Sequence, residues 1–168
     1  MVALNTLKYF WRLRTPEESA ADVGRLIRHY LTSWKRERVL LVGYSFGADV
    51  LPFITNRLPP ELRARVISVS MLGLELNASF EIHVTGWVPG VDTGSAPIKP
   101  ELAKMQGVNA LCLYGADERH DPCPMLAGGS LRARQIGGGH HFGGDYEALA
   151  AAILAPIGSG AAGERPSR

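Results

Sequence analysis

The sequence predicts an α/β fold, a mostly parallel sheet flanked by helices. Three observations carry that expectation. Short apolar runs, residues 38–42, 65–72 and 108–114, read as buried strands and alternate with stretches of helical period. Glycine and proline pairs punctuate the boundaries between them. The pentapeptide Gly43-Tyr44-Ser45-Phe46-Gly47 stands where the first of these strands must turn into a helix.

The first long helix opens at Thr15-Pro16-Glu17-Glu18. Thr15 suits the cap, Pro16 the first helical position, and Glu18 completes a capping box. Val23, Ile27, Tyr30, Leu31 and Trp34 follow at helical spacing and predict an apolar stripe facing the sheet. After the strand at 38–42 and the pentapeptide, Ala48-Asp49-Val50-Leu51 begins a second helix. Pro52 predicts a kink or break in it, and Pro59-Pro60 its end. Residues 131–136 alternate apolar and polar and read as an edge strand. Asp145 caps a last helix that places Tyr146, Leu149, Ala150, Ile153 and Leu154 on one face. Residues 74–100 break the pattern with an alternating stretch, Phe80 to Val84, and a glycine- and proline-rich loop. They read as a cap or lid inserted between core strands. The expected organisation is one domain over residues 1–157 and a disordered tail over 158–168.

Composition narrows the function classes. With 46% hydrophobic and 20% charged residues, the 168-residue chain fits a globular domain able to bury a core. A net charge of +2, with arginines spread along the chain, gives no reason to expect direct nucleic-acid binding. No apolar run approaches the ~20 residues of a membrane span. Residues 1–11 lack the basic start and apolar centre of a signal peptide.

The pentapeptide has the form G-x-S-x-G. Between a strand and a helix it reads as a nucleophile elbow, with Ser45 at the tip of a sharp turn. Gly43 and Gly47 are expected to remove side chains that would collide with the turn. The N–H of Phe46, at the helix N-terminus, is expected to point at a developing oxyanion. Tyr44 and Trp87 are candidates for lining a substrate pocket, although Trp87 could equally anchor its loop.

An elbow serine needs a base and an acid, because a free hydroxyl is scarcely ionised at neutral pH. The α/β-hydrolase order is Ser, then Asp or Glu, then His. Asp117 ends the strand at 108–114, at the carboxyl edge where open α/β sheets gather their sites. It is favoured as the acid because it lies closest to the strand end; Glu118 and Asp121 compete for the role. His140 follows the glycine run 137–139 directly and is favoured as the base over His141. Neighbouring histidines point in different directions, and no Cys or carboxylate stands at a ligand spacing nearby, so a metal site is not expected. No cofactor is expected either. His29, His83 and His120 lack a comparable setting.

Five segments, 7–11 (LKYFW), 38–51 (RVLLVGYSFGADVL), 56–59 (NRLP), 80–84 (FEIHV) and 138–142 (GGHHF), occur in an order that resembles the VirJ family of bacterial virulence proteins, which includes the C-terminal domain of AcvB. The likeness covers nearly all of residues 4–155. It implies an α/β-hydrolase fold, export to the periplasm, and hydrolysis of an aminoacyl-lipid ester, lysyl-phosphatidylglycerol. It also implies secretion-system proteins as partners and an accessory part in DNA transfer. Expressed as given, without a signal peptide, the chain would stay in the cytoplasm. Family members carry an earlier strand and a glycine-rich loop that should supply a second oxyanion donor. Residues 1–4 resemble the stump of a preceding strand, so the chain is expected to be a late-start version of a larger domain. Cys112 and Cys123 remain. Exported material could join them in a disulfide pinning the acid loop, whereas Cys112 could also be a plain buried apolar residue. The export that the resemblance implies tips the reading toward the disulfide. Two function classes follow: an esterase-type serine hydrolase, or a hydrolase-like binding module that serves a secretion system with little chemistry.

Overall fold

In the computed structural model four strands, β1 (Val39–Tyr44), β2 (Val66–Leu72), β5 (Ala110–Gly115) and β6 (Leu131–Ile136), form one sheet in the order β1-β2-β5-β6, every pair parallel. The structure describes residues 1–82 and 95–160, the side chains of 158–160 excepted. Around the sheet lie α1 (Thr6–Tyr9), α2 (Pro16–Ser33), α3 (Phe46–Asn56), α4 (Pro60–Arg63), α5 (Lys99–Ala103), α6 (Cys123–Leu126) and α7 (Tyr146–Gly160). A two-residue antiparallel pair, β3 (Asn77–Ala78) with β4 (Ala96–Pro97), joins the ends of the segment expected to be a lid. Leu74, Ala78, Phe80 and Ile98, from those same ends, are buried in the core. Residues 83–94, with Trp87 and His83, lie outside the described residues, as does 161–168.

Strand alternation divides the interior in two. Val69, Met71, Ala110 and Cys112 point toward α2, α3 and α4. Leu72, Leu111, Leu113 and Ile136 point to the other side, where Leu149 and Ala152 of α7 and the buried ring of Phe142 cover them. Among the described residues β1 pairs only with β2, and β6 only with β5. On the α7 side of β1, Val42 stays 49% exposed and Tyr44 43% exposed.

Three local expectations are corrected. The capping box at Thr15 and Glu18 forms, with bonds of 3.0 and 2.9 Å, but α2 packs chiefly on α3 rather than on the sheet. Its closest face is made of small residues, Ser19, Ala20 and Gly24; a methyl group at Gly24 would already touch Leu62 at 3.4 Å, and Trp34 is left half exposed. α3 runs unbroken through Pro52. Burial of Val50, Leu51, Phe53 and Ile54 holds the helix and outweighs the one backbone bond that proline cannot make. Finally, α7 passes Pro156 and extends to Gly160, so 158–160 belong to a helix and not to a tail.

Candidate active site

All four parallel strands end on one edge, and the chemistry-bearing residues collect there. Ser45 follows β1 with φ 51° and ψ −122°, a left-handed conformation that a side-chain-bearing residue adopts only under constraint. The constraint is visible. Its N–H donates to the Leu72 carbonyl at 2.8 Å, and its carbonyl accepts from Ala48 and Asp49 at 2.7 and 3.2 Å. Gly43 makes the turn possible, because a Cβ there would stand 2.3 Å from the Gly47 carbonyl oxygen. Gly47 differs from expectation: a Cβ at that position would meet nothing closer than Thr6 Cγ2 at 3.7 Å, an ordinary contact. The Ser45 hydroxyl makes no capping hydrogen bond. Phe46 is the first residue of α3, so its N–H has no intrahelical acceptor. Its ring packs on Phe10, which anchors the N-terminal segment beside the elbow.

His140 reaches the same edge from the loop after β6. Backbone bonds from Ala116 to the Ile136 carbonyl (2.8 Å) and from Asp117 to the Gly138 carbonyl (3.0 Å) lay that loop across the end of β5. The imidazole rests on Gly73, the residue after Leu72. A Cβ on Gly73 would lie 2.7 Å from His140 Cε1, and its φ of +61° also favours glycine. Since Leu72 pairs with Tyr44 and holds the Ser45 N–H, His140 and Ser45 flank the same strand ends. Tyr44 lies against both histidines: its ring centroid is 5.4 Å from that of His140, and its hydroxyl meets His141 Nδ1 at 2.7 Å. Partial burial, with lesser contributions from the Glu118 carboxylate and Tyr146, raises the Tyr44 pKa. Tyr44 thus holds the histidine loop, a contact not foreseen from sequence. His141 is occupied by this bond.

The carboxylate that meets His140 is Glu118, with Oε1 3.2 Å from Nδ1. Its neighbour Asp117, closer to the strand end, is the one the sequence favours. In the structure Asp117 is exposed, and its described hydrogen bond is the backbone one to Gly138. The turn after Gly115, closed by Glu118 N–H to the Gly115 carbonyl at 3.3 Å, decides which of the two neighbours faces inward. Asp121, the third contender, accepts the Cys123 N–H at 2.7 Å. Burial, and then the neighbouring Glu118, push its carboxyl up to about 6. Cys112 of β5 and Cys123 of α6 are joined in a disulfide, with α-carbons 5.7 Å apart, and both are fully buried. The bridge ties down both ends of the loop that carries Glu118. Trp87 lies outside the described residues. Among the described residues no three His, Cys, Asp or Glu side chains converge as metal ligands, and no helix is long and apolar enough to cross a membrane.

A family model described as bacterial virulence protein (VirJ) matches residues 1–160. The chain belongs to the VirJ family. Solved structures with the same fold are α/β-hydrolases. One is proline iminopeptidase from Mycobacterium smegmatis, at 14% identity and TM-score 0.59, covering 92% of this chain and 74% of that one. Another is LpqC, a poly(3-hydroxybutyrate) depolymerase from Bordetella parapertussis, at 16% identity and TM-score 0.53, covering 86% and 59%. A third is the thioesterase domain from the curacin biosynthetic pathway, at 15% identity and TM-score 0.52, covering 90% and 76%. At these identities the likeness is one of fold. The VirJ-family chain spans less than two thirds of the depolymerase, and no curated protein matches it.

Proposed function

We propose that this protein is a serine hydrolase acting on esters, with Ser45 as nucleophile, His140 as base and Glu118 as the acid. The observation that carries the reading is a strained Ser45 turn at the strand end where Gly73 also receives the His140 ring, whose Nδ1 meets the Glu118 carboxylate. With Nδ1 bonded to Glu118, Nε2 is the nitrogen left to take the serine proton. Ser45 Oγ attacks the ester carbonyl carbon, and its proton passes to His140. Glu118 orients the ring and stabilises the imidazolium that forms. The Phe46 N–H, at the positive end of α3, supports the oxyanion. Collapse expels the alkoxide, which takes the proton from His140 and leaves an acyl-Ser45. A water that gives its proton to His140 then attacks that ester, and the acid departs as Ser45 regains its proton.

Family membership supports a narrower substrate, an aminoacyl-phospholipid such as lysyl-phosphatidylglycerol. Ser45 would then carry the aminoacyl group, and the lipid would be the leaving alcohol. The disulfide fits the oxidising periplasm where this reading puts the protein. Secretion-system proteins are the partners it implies. The test supplies vesicles containing lysyl-phosphatidylglycerol and measures free lysine. Release that requires Ser45 supports the reading, and turnover of simple esters without release restricts it to a general esterase. A hydrolase-like binding module is the competing reading. It is favoured by the outer edge of β1, unpaired among the described residues, and its exposed Val42, and it predicts no turnover of either substrate.

A further inference from the structure

Asp49 lies one turn beyond Ser45 in α3 and takes no part in the chemistry above. It is the acid in a helix whose neighbouring residues are apolar: Ala48 and the run Val50 to Ile54. It is 8% exposed, and among the described residues it has no cationic partner. Burying a carboxyl without a counter-ion is costly, and burial pushes this one up to about 7, with the Glu75 carboxylate adding to the effect. A leucine there would avoid that cost, so the position of the oxygen atoms has to matter. Asp49 makes two connections. Its N–H donates to the Ser45 carbonyl at 3.2 Å, and its Oδ1 accepts the Glu75 N–H at 2.8 Å. Glu75 is two residues beyond Gly73, the residue on which the His140 ring sits.

We propose that Asp49 is a positioning residue: it clamps the elbow helix to the 73–75 loop, so that Ser45 and His140 keep one fixed spacing. The inference rests on the serine-hydrolase reading for its effect on rate and on the geometry alone for its effect on His140. An acceptor at Oδ1 is what the clamp needs, and a carboxylate, a carboxylic acid and an amide all provide one. Asp49→Asn therefore keeps the clamp and Asp49→Ala removes it. Misplacing reacting groups by about 1 Å can cost on the order of 100-fold in rate.

Ester hydrolysis by the Ala variant should show kcat reduced about 10- to 100-fold with KM little changed, while the Asn variant stays close to the parent. A merely structural role would lower the yield of folded protein and leave kcat per folded molecule intact. Histidine-labelled protein gives a second readout by NMR. The His140 ring resonances should shift or broaden in the Ala variant and hold their positions in the Asn variant. Parental kcat in a folded Ala variant would overturn the proposal, as would an Asn variant as impaired as Ala. Should the Ala variant not fold, parental kcat and unmoved His140 signals in Asn support the clamp, and a tenfold loss there rejects it. A parent inert toward every ester defeats the catalytic reading alone. The His140 signals then decide the clamp, and it fails if they are unmoved in the Ala variant.

Discussion

Replacing Glu118 with Gln removes the charge facing His140 and keeps an acceptor of the same shape. The pair is 3.2 Å apart, with side chains 25% and 37% exposed for Glu118 and His140. A hydrogen bond to a charged group contributes about 1.5–3 kcal/mol. Solvent screening at this exposure places the pair toward the lower end. With each 1.36 kcal/mol worth a factor of ten in rate, kcat/KM should fall about 10- to 50-fold. The Ala variant, which loses the acceptor as well, should fall further. Asp117→Asn keeps the backbone bond to Gly138 and should stay near the parent. The assay is hydrolysis of a chromogenic short-chain ester across pH 6 to 9, with circular dichroism to confirm the fold. A collapse in Asp117→Asn together with an unaffected Glu118→Gln would refute the reasoning and return the acid role to Asp117.

His140→Ala should abolish turnover, whereas His141→Ala and Tyr44→Phe, which cut the 2.7 Å bond bracing the histidine loop, should only weaken it; steady-state kinetics on the three variants ranks them. The disulfide closes an 11-residue separation, for which loop entropy gives about 3 kcal/mol, so urea denaturation with and without reductant should separate by that order. Because the folded pKa of Asp49 is raised to about 7 from 3.8, the native state holds the proton more tightly than the unfolded chain. Its contribution is therefore present below pH 4 and is lost as pH rises toward 7. Relative to the parent, Asp49→Asn should gain stability between pH 5 and pH 8, measured by urea midpoints; a gap that does not widen with pH would show that Asp49 ionises without penalty.

The sharp strand-to-helix turn at Ser45 was legible because its signal is local. A strand, two glycines around one serine and a helix lie within twenty residues, and backbone sterics link them directly. Which of Asp117 and Glu118 meets His140 was not legible. It depends on a turn whose course is set by the glycine loop more than twenty residues later, which bonds Asp117 N–H through Gly138. The stripe on α2 marks a buried face but not its neighbour: the sheet was expected there, and α3 is what packs against it. Ala20 and Gly24 were the available sign that another helix approaches there, since small residues let helices pack closely. Pro52 misled because local propensity was outweighed by the buried surroundings of α3. Asp49 carries a signal in the sequence, an acid one turn after Ser45 in an apolar helix. Gly73 had none, because the ring it accommodates comes from the far end of the chain.

The central claim is that Ser45 is a nucleophile made reactive by His140. A fluorophosphonate probe tests it without knowledge of the substrate, since the probe forms a bond only with an activated serine. Intact-mass and peptide mapping of the treated protein should place one adduct on Ser45, and Ser45→Ala and His140→Ala should carry none. Parent protein that is folded yet unlabelled, or labelled equally in the His140→Ala variant, would contradict the account.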